Sequence, residues 1–148
     1  MQYKRLLRLV VTLVAFTLSA MAINGCGPTP TAPENGAPYS QKDLQLGTGA
    51  DAVSGKAITA DYTGWLYDSS KPDQKGLQFE TSLGGTPLTF TLGGGQVIAG
   101  IEQGVNGMKV GGIRQMVIPS SLAYGAVRNG PIPPFSTIVF EVQLLDVQ

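Results

Sequence analysis

The sequence predicts an α+β domain in which a sheet of about five strands wraps over one short helix. Apolar and polar residues alternate in several runs, only one run has helical spacing, and 20 Gly and 10 Pro break the chain between them. From Lys56 to Tyr67 the residues Ile58, Ala60, Tyr62, Gly64 and Leu66 fall on one side and Thr59, Asp61 and Thr63 on the other, the pattern of a half-buried strand. Short apolar stretches around Leu77 to Thr81 and Leu88 to Leu92, flanked by Gly and Pro, give two more. Between Gly95 and Met108 the spacing changes, with Val97, Ile98, Ile101 and Val105 three or four residues apart, so a short helix belongs there. Alternation returns in Arg114, Met116 and Ile118, and in Ile138, Phe140, Val142 and Leu144. Between these last strands, Pro119 to Ser136 is a long loop carrying Tyr124 and Phe135, and loops of that length in compact domains are usually functional or mobile.

Composition removes whole classes of chemistry. With no histidine there is no Ser-His or Cys-His nucleophile, no His-ligated zinc or haem and no His-based pH switch. One cysteine, Cys26, cannot form an intrachain disulfide, a CxxC pair or a thiolate metal site, and no cofactor or metal is expected. Beyond Cys26 there are 7 basic and 10 acidic residues, a net charge of −3, and no basic patch interleaved with aromatics, which argues against nucleic acid as a partner. Gly93-Gly94-Gly95 is read as a turn, since no Gly-Lys-Ser/Thr follows to make a phosphate cradle. Asp61 and Glu80 are not read as a glycosidase pair, because Asp61 falls on the polar, solvated strand face away from Tyr62.

The first segment reads as an address. Lys4, Arg5 and Arg8 precede an uncharged apolar run, Leu9 to Ile23, that rises only about 22 Å as a helix against the roughly 30 Å hydrocarbon layer. Ala20-Met21-Ala22 fits ordinary signal cleavage, whereas Ile23-Asn24-Gly25-Cys26 resembles a bacterial lipobox, with Asn24 departing from the usual small residue. In the lipobox reading Cys26 is lipidated and becomes the mature N-terminus, anchoring an exported protein to a cell-envelope membrane. The alternative is a secreted or periplasmic soluble protein. Residues 26–38 carry four prolines between Gly27 and Pro38 and read as a flexible tether, leaving residues 39–148 as one domain behind a signal of residues 1–25.

Several stretches together, Tyr62-Thr63-Gly64, Gln78-Phe79-Glu80-Thr81-Ser82, Phe90-Thr91-Leu92-Gly93, Gln96-Val97-Ile98-Ala99-Gly100, Ala123-Tyr124-Gly125 and Ile132-Pro133-Pro134, resemble the FKBP-type peptidyl-prolyl cis/trans isomerases, in order and with near-constant spacing from Leu44 to Val147. The resemblance implies an antiparallel sheet of five to six strands around a short helix, with a pocket between them. It implies that Tyr62, Phe79, Glu80, Ile98, Tyr124 and Phe140 carry catalysis, the Ile98 N–H and the Tyr124 hydroxyl each donating to a substrate carbonyl. Phe90, Val97, Ile101, Leu88 and Ile132 would complete substrate binding. The implied partners are Xaa-Pro segments of unfolded or exported proteins and macrolide inhibitors of the family, and the chain is expected to be a monomer.

The sequence departs from the family pattern in several places. Ile101 stands where a tryptophan usually forms the pocket floor, Glu80 where an aspartate is usual, and Leu88 where an aromatic is usual. The loop after Tyr124 is a residue shorter, and Ser69 to Leu77 holds an insertion in which Lys71, Asp73 and Lys75 read as a soluble loop. An aliphatic floor makes a less aromatic cup, and the extra methylene of Glu80 is expected to break its contact with Tyr62. The alternative function is an FKBP-fold binding module or chaperone with little catalysis. A β-rich structural or sugar-binding lipoprotein is the third class.

Overall fold

The computed structural model describes residues 36–148; the signal segment, Cys26 and most of the tether lie outside them. The elements run in the order β1 (Ser40–Gln45), β2 (Ala57–Tyr67), β3 (Lys75–Thr81), β4 (Leu88–Thr91), α1 (Ala99–Val105), β5 (Ile113–Ile118), a 3₁₀ turn (Ser120–Leu122) and β6 (Ile138–Val147). All strand pairs are antiparallel, in the order β1-β5-β6-β2-β3, with β4 pairing the first half of the same β2 edge that β3 continues. The fold is the α+β arrangement that alternation and the resemblance predict, with a six-stranded sheet and one short helix.

Strand β1 is the element that alternation missed. Its six residues are all exposed, so no apolar period marks it. It is held by pairing with β5 and by one ion pair, in which Arg114 Nε and Nη2 grip the Asp43 carboxylate at 2.6 and 3.1 Å. Arg114 shares the inner strand face with Met116 and Ile118, and its remaining nitrogen, Nη1, donates to the carbonyl of Gly104 at 2.8 Å. A charge on an apolar face is tolerable only with such partners.

Seven residues of helix are too few to be stable alone, so α1 depends on burying Ile101 and Val105 against the concave face of the sheet. Two glycines one turn apart let it lie close. A Cβ at Gly100 would overlap the side chain of Ile118, and one at Gly104 would overlap Met116 Sδ. The core under the helix is built from Ile58, Phe90, Met116, Ile118, Ile138, Phe140, Val142 and Leu144.

On the outer face of the sheet the insertion after β2 is not the free soluble loop expected of it. Lys75 opens β3, bonds Glu141 on β6 at 2.5 Å and lies 4.6 Å from the centroid of the Trp65 ring. Gln115 Nε2 donates to the Asp73 carbonyl at 3.0 Å. Val117 and Val139 are buried yet stand apart from the core under the helix.

Candidate functional site

Where the sheet and helix fail to close on each other they leave an apolar cavity of about 380 Å³. Strand alternation brings Ala60 and Tyr62 from β2, and Phe140 and Val142 from β6, to its sheet side. Leu88 and Phe90 of β4 form a second wall, Ile101 of α1 lies beneath, and Gln96, Val97 and Ile98 line it from the loop before the helix. Tyr124 enters from the long loop, and Glu80 is the one carboxylate in the lining. A larger hollow of about 700 Å³ lies between the insertion after β2 and β1, but its lining mixes Lys42, Asp73, Lys75 and Gln115 with few apolar groups. A mostly apolar lining with a few convergent polar groups, rather than size alone, marks a ligand site.

The aromatic walls are braced from behind. Tyr62 meets Phe140 at 5.8 Å between ring centroids, tilted by 53°, and Phe79 meets Phe140 edge-on at 5.7 Å and 83°. The edge-to-face pair is a favourable arrangement of the ring quadrupoles. Gly64 makes it possible, because a Cβ there would lie 2.6 Å from the Phe79 ring and 2.9 Å from that of Phe140. The backbone of Tyr62 is fixed by Ser82, whose Oγ accepts the Tyr62 N–H at 2.9 Å and donates to Asp61 Oδ1 at 2.7 Å. Asp61 is therefore half-buried and bonded, not solvated as its position on the polar face suggests.

Burial pushes the Tyr62 hydroxyl up to about 12, helped by its hydrogen bond to Glu80 and the Glu80 charge. Glu80 therefore still acts on the Tyr62 hydroxyl despite its extra methylene. Burial also raises Tyr124, as does the Glu80 charge, against the opposing effect of a hydrogen bond from Asn129. Both phenols are neutral donors at ordinary pH. The Ile98 N–H donates to no group among the described residues, while the Ile98 carbonyl accepts from Ile101 and Glu102 at the helix start. Among the described residues no cluster of three or more Asp, Glu, Cys or His side chains is placed to hold a metal ion.

Nine of the eleven domain residues singled out in the sequence, Tyr62, Glu80, Leu88, Phe90, Val97, Ile98, Ile101, Tyr124 and Phe140, line this one cavity. Phe79 does not. It packs edge-on against Phe140 as a brace; as the unpaired residue of the bulge between the Gly64–Glu80 and Trp65–Gln78 pairs, it is turned to the same side as Gly64 and Phe140 but stops short of the lining. Ile132 does not line it either; it is 3% exposed and packs into the core, and its backbone bridges Asn129. Ala60 and Val142 were missed, although strand parity with Tyr62 and Phe140 would have found them. Gln96 was seen only as part of a motif and given no role.

The FKBP-type peptidyl-prolyl cis-trans isomerase family model matches residues 49–145, from the loop before β2 to within β6. The chain belongs to this family of isomerases. An FK506-binding protein of Neisseria meningitidis serogroup B is 51% identical over 108 residues, 72% of this chain and 93% of that one. Among solved structures, AtFKBP13 superposes with a TM-score of 0.63 at 34% identity, covering 74% of this chain and 93% of that one. A peptidyl-prolyl cis-trans isomerase from Pseudomonas syringae pv. tomato gives 0.61 at 32% identity, covering 74% and 75%. The sheet-and-helix arrangement described above is thus the FKBP fold, and the cavity lies within the segment that the family model matches.

Proposed function

We propose that this FKBP domain catalyses rotation about Xaa-Pro bonds in exported polypeptides, held near a cell-envelope membrane by a lipid on Cys26. The observation that carries the catalytic reading is an apolar cavity with neutral donors at its margin, the Ile98 N–H and the Tyr124 hydroxyl, and no acid-base pair. Rotation about the prolyl amide faces a barrier of about 18–20 kcal/mol, and no bond has to break. The planar amide separates charge and is favoured by water, whereas the twisted amide separates less and loses less in an apolar cup. Tyr62, Phe90, Ile101 and Phe140 would supply that surrounding for the prolyl ring, with Ile98 and Tyr124 fixing the flanking carbonyls. Each factor of ten needs about 1.4 kcal/mol, so four decades need about 5.5, within reach of positioning, desolvation and a few hydrogen bonds.

The export reading rests on the charged start, the apolar run and the single cysteine directly after it. FK506-type macrolides are the inhibitors to try first, given the FK506-binding relatives. The catalytic test is cis/trans exchange in a Leu-Pro or Phe-Pro peptide, followed by NMR with and without the protein. Acceleration that is lost in folded Tyr62→Ala and Phe140→Ala variants supports the isomerase. Peptide binding without acceleration would make the chain a binding module, and the Ile101 floor is the feature to change next. For the anchor, globomycin-sensitive processing with a lipid mass on Cys26 is expected; an unmodified thiol on a membrane-free product would overturn it.

A further inference from the structure

Gln96 lies on the cavity rim, in the loop between β4 and α1. The loop holds three consecutive glycines, with Gly93 and Gly95 at φ +84° and +67°, a backbone that gains little stiffness from its own side chains. Two acceptors hold it. Glu102 Oε1, in the first turn of α1, accepts the Gly95 N–H at 2.9 Å, and Gln96 Oε1 accepts the Thr91 N–H at 2.6 Å. The second bond fixes more than the loop. A carboxamide carries acceptors on oxygen and two donors on nitrogen, so once Oε1 is committed to Thr91 the free end of Gln96 is a donor. Its Nε2 bonds no group among the described residues, although the side chain is exposed at the mouth of an apolar cavity.

We propose that Gln96 is a substrate-gripping residue whose Nε2 donates to a backbone carbonyl of the client beside the prolyl ring. The inference rests on the isomerase reading and refines its substrate class. The preferred ligand is an extended peptide with a carbonyl at the rim, not a proline ring alone. A flanking carbonyl does not twist with the prolyl bond, so this contact is equal in ground and transition states. It therefore lowers KM and leaves kcat alone. At an exposed rim, where water competes, one neutral hydrogen bond corresponds to about a three- to tenfold change in KM.

The test is Gln96→Glu in the full chain, which keeps an acceptor for Thr91 and replaces the donor nitrogen by oxygen. The substrate is a capped, uncharged peptide containing Leu-Pro, assayed in low salt and in 0.5 M salt, about where Debye screening falls to a few ångströms. Expected are KM raised three- to tenfold in both salts, kcat unchanged, and Thr91 amide exchange as slow as in the parent. In the parent, the Gln96 side-chain amide signal in ¹H–¹⁵N spectra should shift as peptide is added. A KM unchanged in Gln96→Glu overturns the proposal, as does a side-chain signal that stays fixed at saturating peptide. So does a loss of kcat accompanied by fast Thr91 exchange, which would make Gln96 a loop support only. If the parent binds the peptide without catalysing, the isomerase reading fails by itself. The grip is then decided by the same signal and by Kd in place of KM.

Discussion

Replacing Gly64 by alanine should damage the site from behind. Gly64 has no positive φ, so alanine meets no backbone strain there, and restricting the unfolded chain would by itself stabilise the protein by about 0.4–1 kcal/mol. The new methyl, however, would lie 2.6 Å from the Phe79 ring and 2.9 Å from that of Phe140, roughly 1 Å inside ordinary carbon contact. Phe140 is 4% exposed and cannot retreat without disturbing the core, so the cost is that of overpacking, about 1–3 kcal/mol. The net loss of about 1–2 kcal/mol should lower Tm by roughly 5–10 °C. Isomerase activity should fall further than stability explains, because displacing Phe79, the nearer and partly exposed ring, disturbs the Phe140 ring packed edge-on against it, which is a cavity wall. Urea denaturation and NMR exchange on the same samples measure both. The Gly64→Ala/Phe79→Ala double variant supplies the control: with the Phe79 ring gone, the closer overlap is removed and Phe140 gains space to shift from the other, so the two losses should be less than additive by about 1 kcal/mol. Additive losses, or a Gly64→Ala protein as stable and active as the parent, would refute the steric argument.

Three further outcomes follow from the same geometry. Because Tyr62 holds its proton to about 12 in the fold and near 10.0 when free, the stability it contributes is complete below pH 10 and is lost as pH rises towards 12. Tyr62→Phe should flatten that alkaline decline in urea midpoints taken between pH 9 and 12. Arg114 holds the Asp43 carboxyl below its ordinary value, chiefly through their hydrogen bond, so this stability is present at neutral pH and disappears on acidification below about 4. Asp43→Asn should cost about 1–2 kcal/mol at pH 7, less than for a fully buried pair because Asp43 is partly exposed, and should leave acid unfolding shallower. Trp65 lies on the outer face under Lys75, so peptide binding should leave tryptophan emission unchanged, whereas Lys75→Ala should red-shift it. A ligand-induced change in emission would place Trp65 in contact with the site.

The fold was legible wherever one strand face is buried. Ile58, Ala60 and Tyr62, or Ile138, Phe140 and Val142, report their own orientation, because period two and burial coincide. Strand β1 carries no such signal, since its pairing is made by backbone and by Arg114, a residue 71 positions from Asp43. The cavity was legible through the ordered motifs, which give residue types and spacing but not local register. Phe79 illustrates the limit: it is the unpaired residue of a bulge, so neither alternation nor motif spacing says that it packs on Phe140 as a brace and not in the lining. Ile132 fails for a related reason, as the long loop places it in the core in a way that Gly and Pro content alone does not specify. The Glu80–Tyr62 contact could not be judged by counting methylenes, because its length depends on where the backbone of β3 sits.

The cavity and the core share their residues, and this sets what mutation can separate. Phe90, Ile101, Phe140 and Val142 are each at most 6% exposed and belong to the core cluster as well as to the lining. Cutting any of them down opens a void on one side and removes a wall on the other, so stability and turnover fall together. The rim is different. Glu80 and Gln96 are exposed, and Tyr124 is only partly buried; their bonds are made at the surface, where one hydrogen bond is worth about 1 kcal/mol and the core does not depend on it. Changes at the rim can therefore alter what the cavity binds while the core residues hold its apolar walls in place.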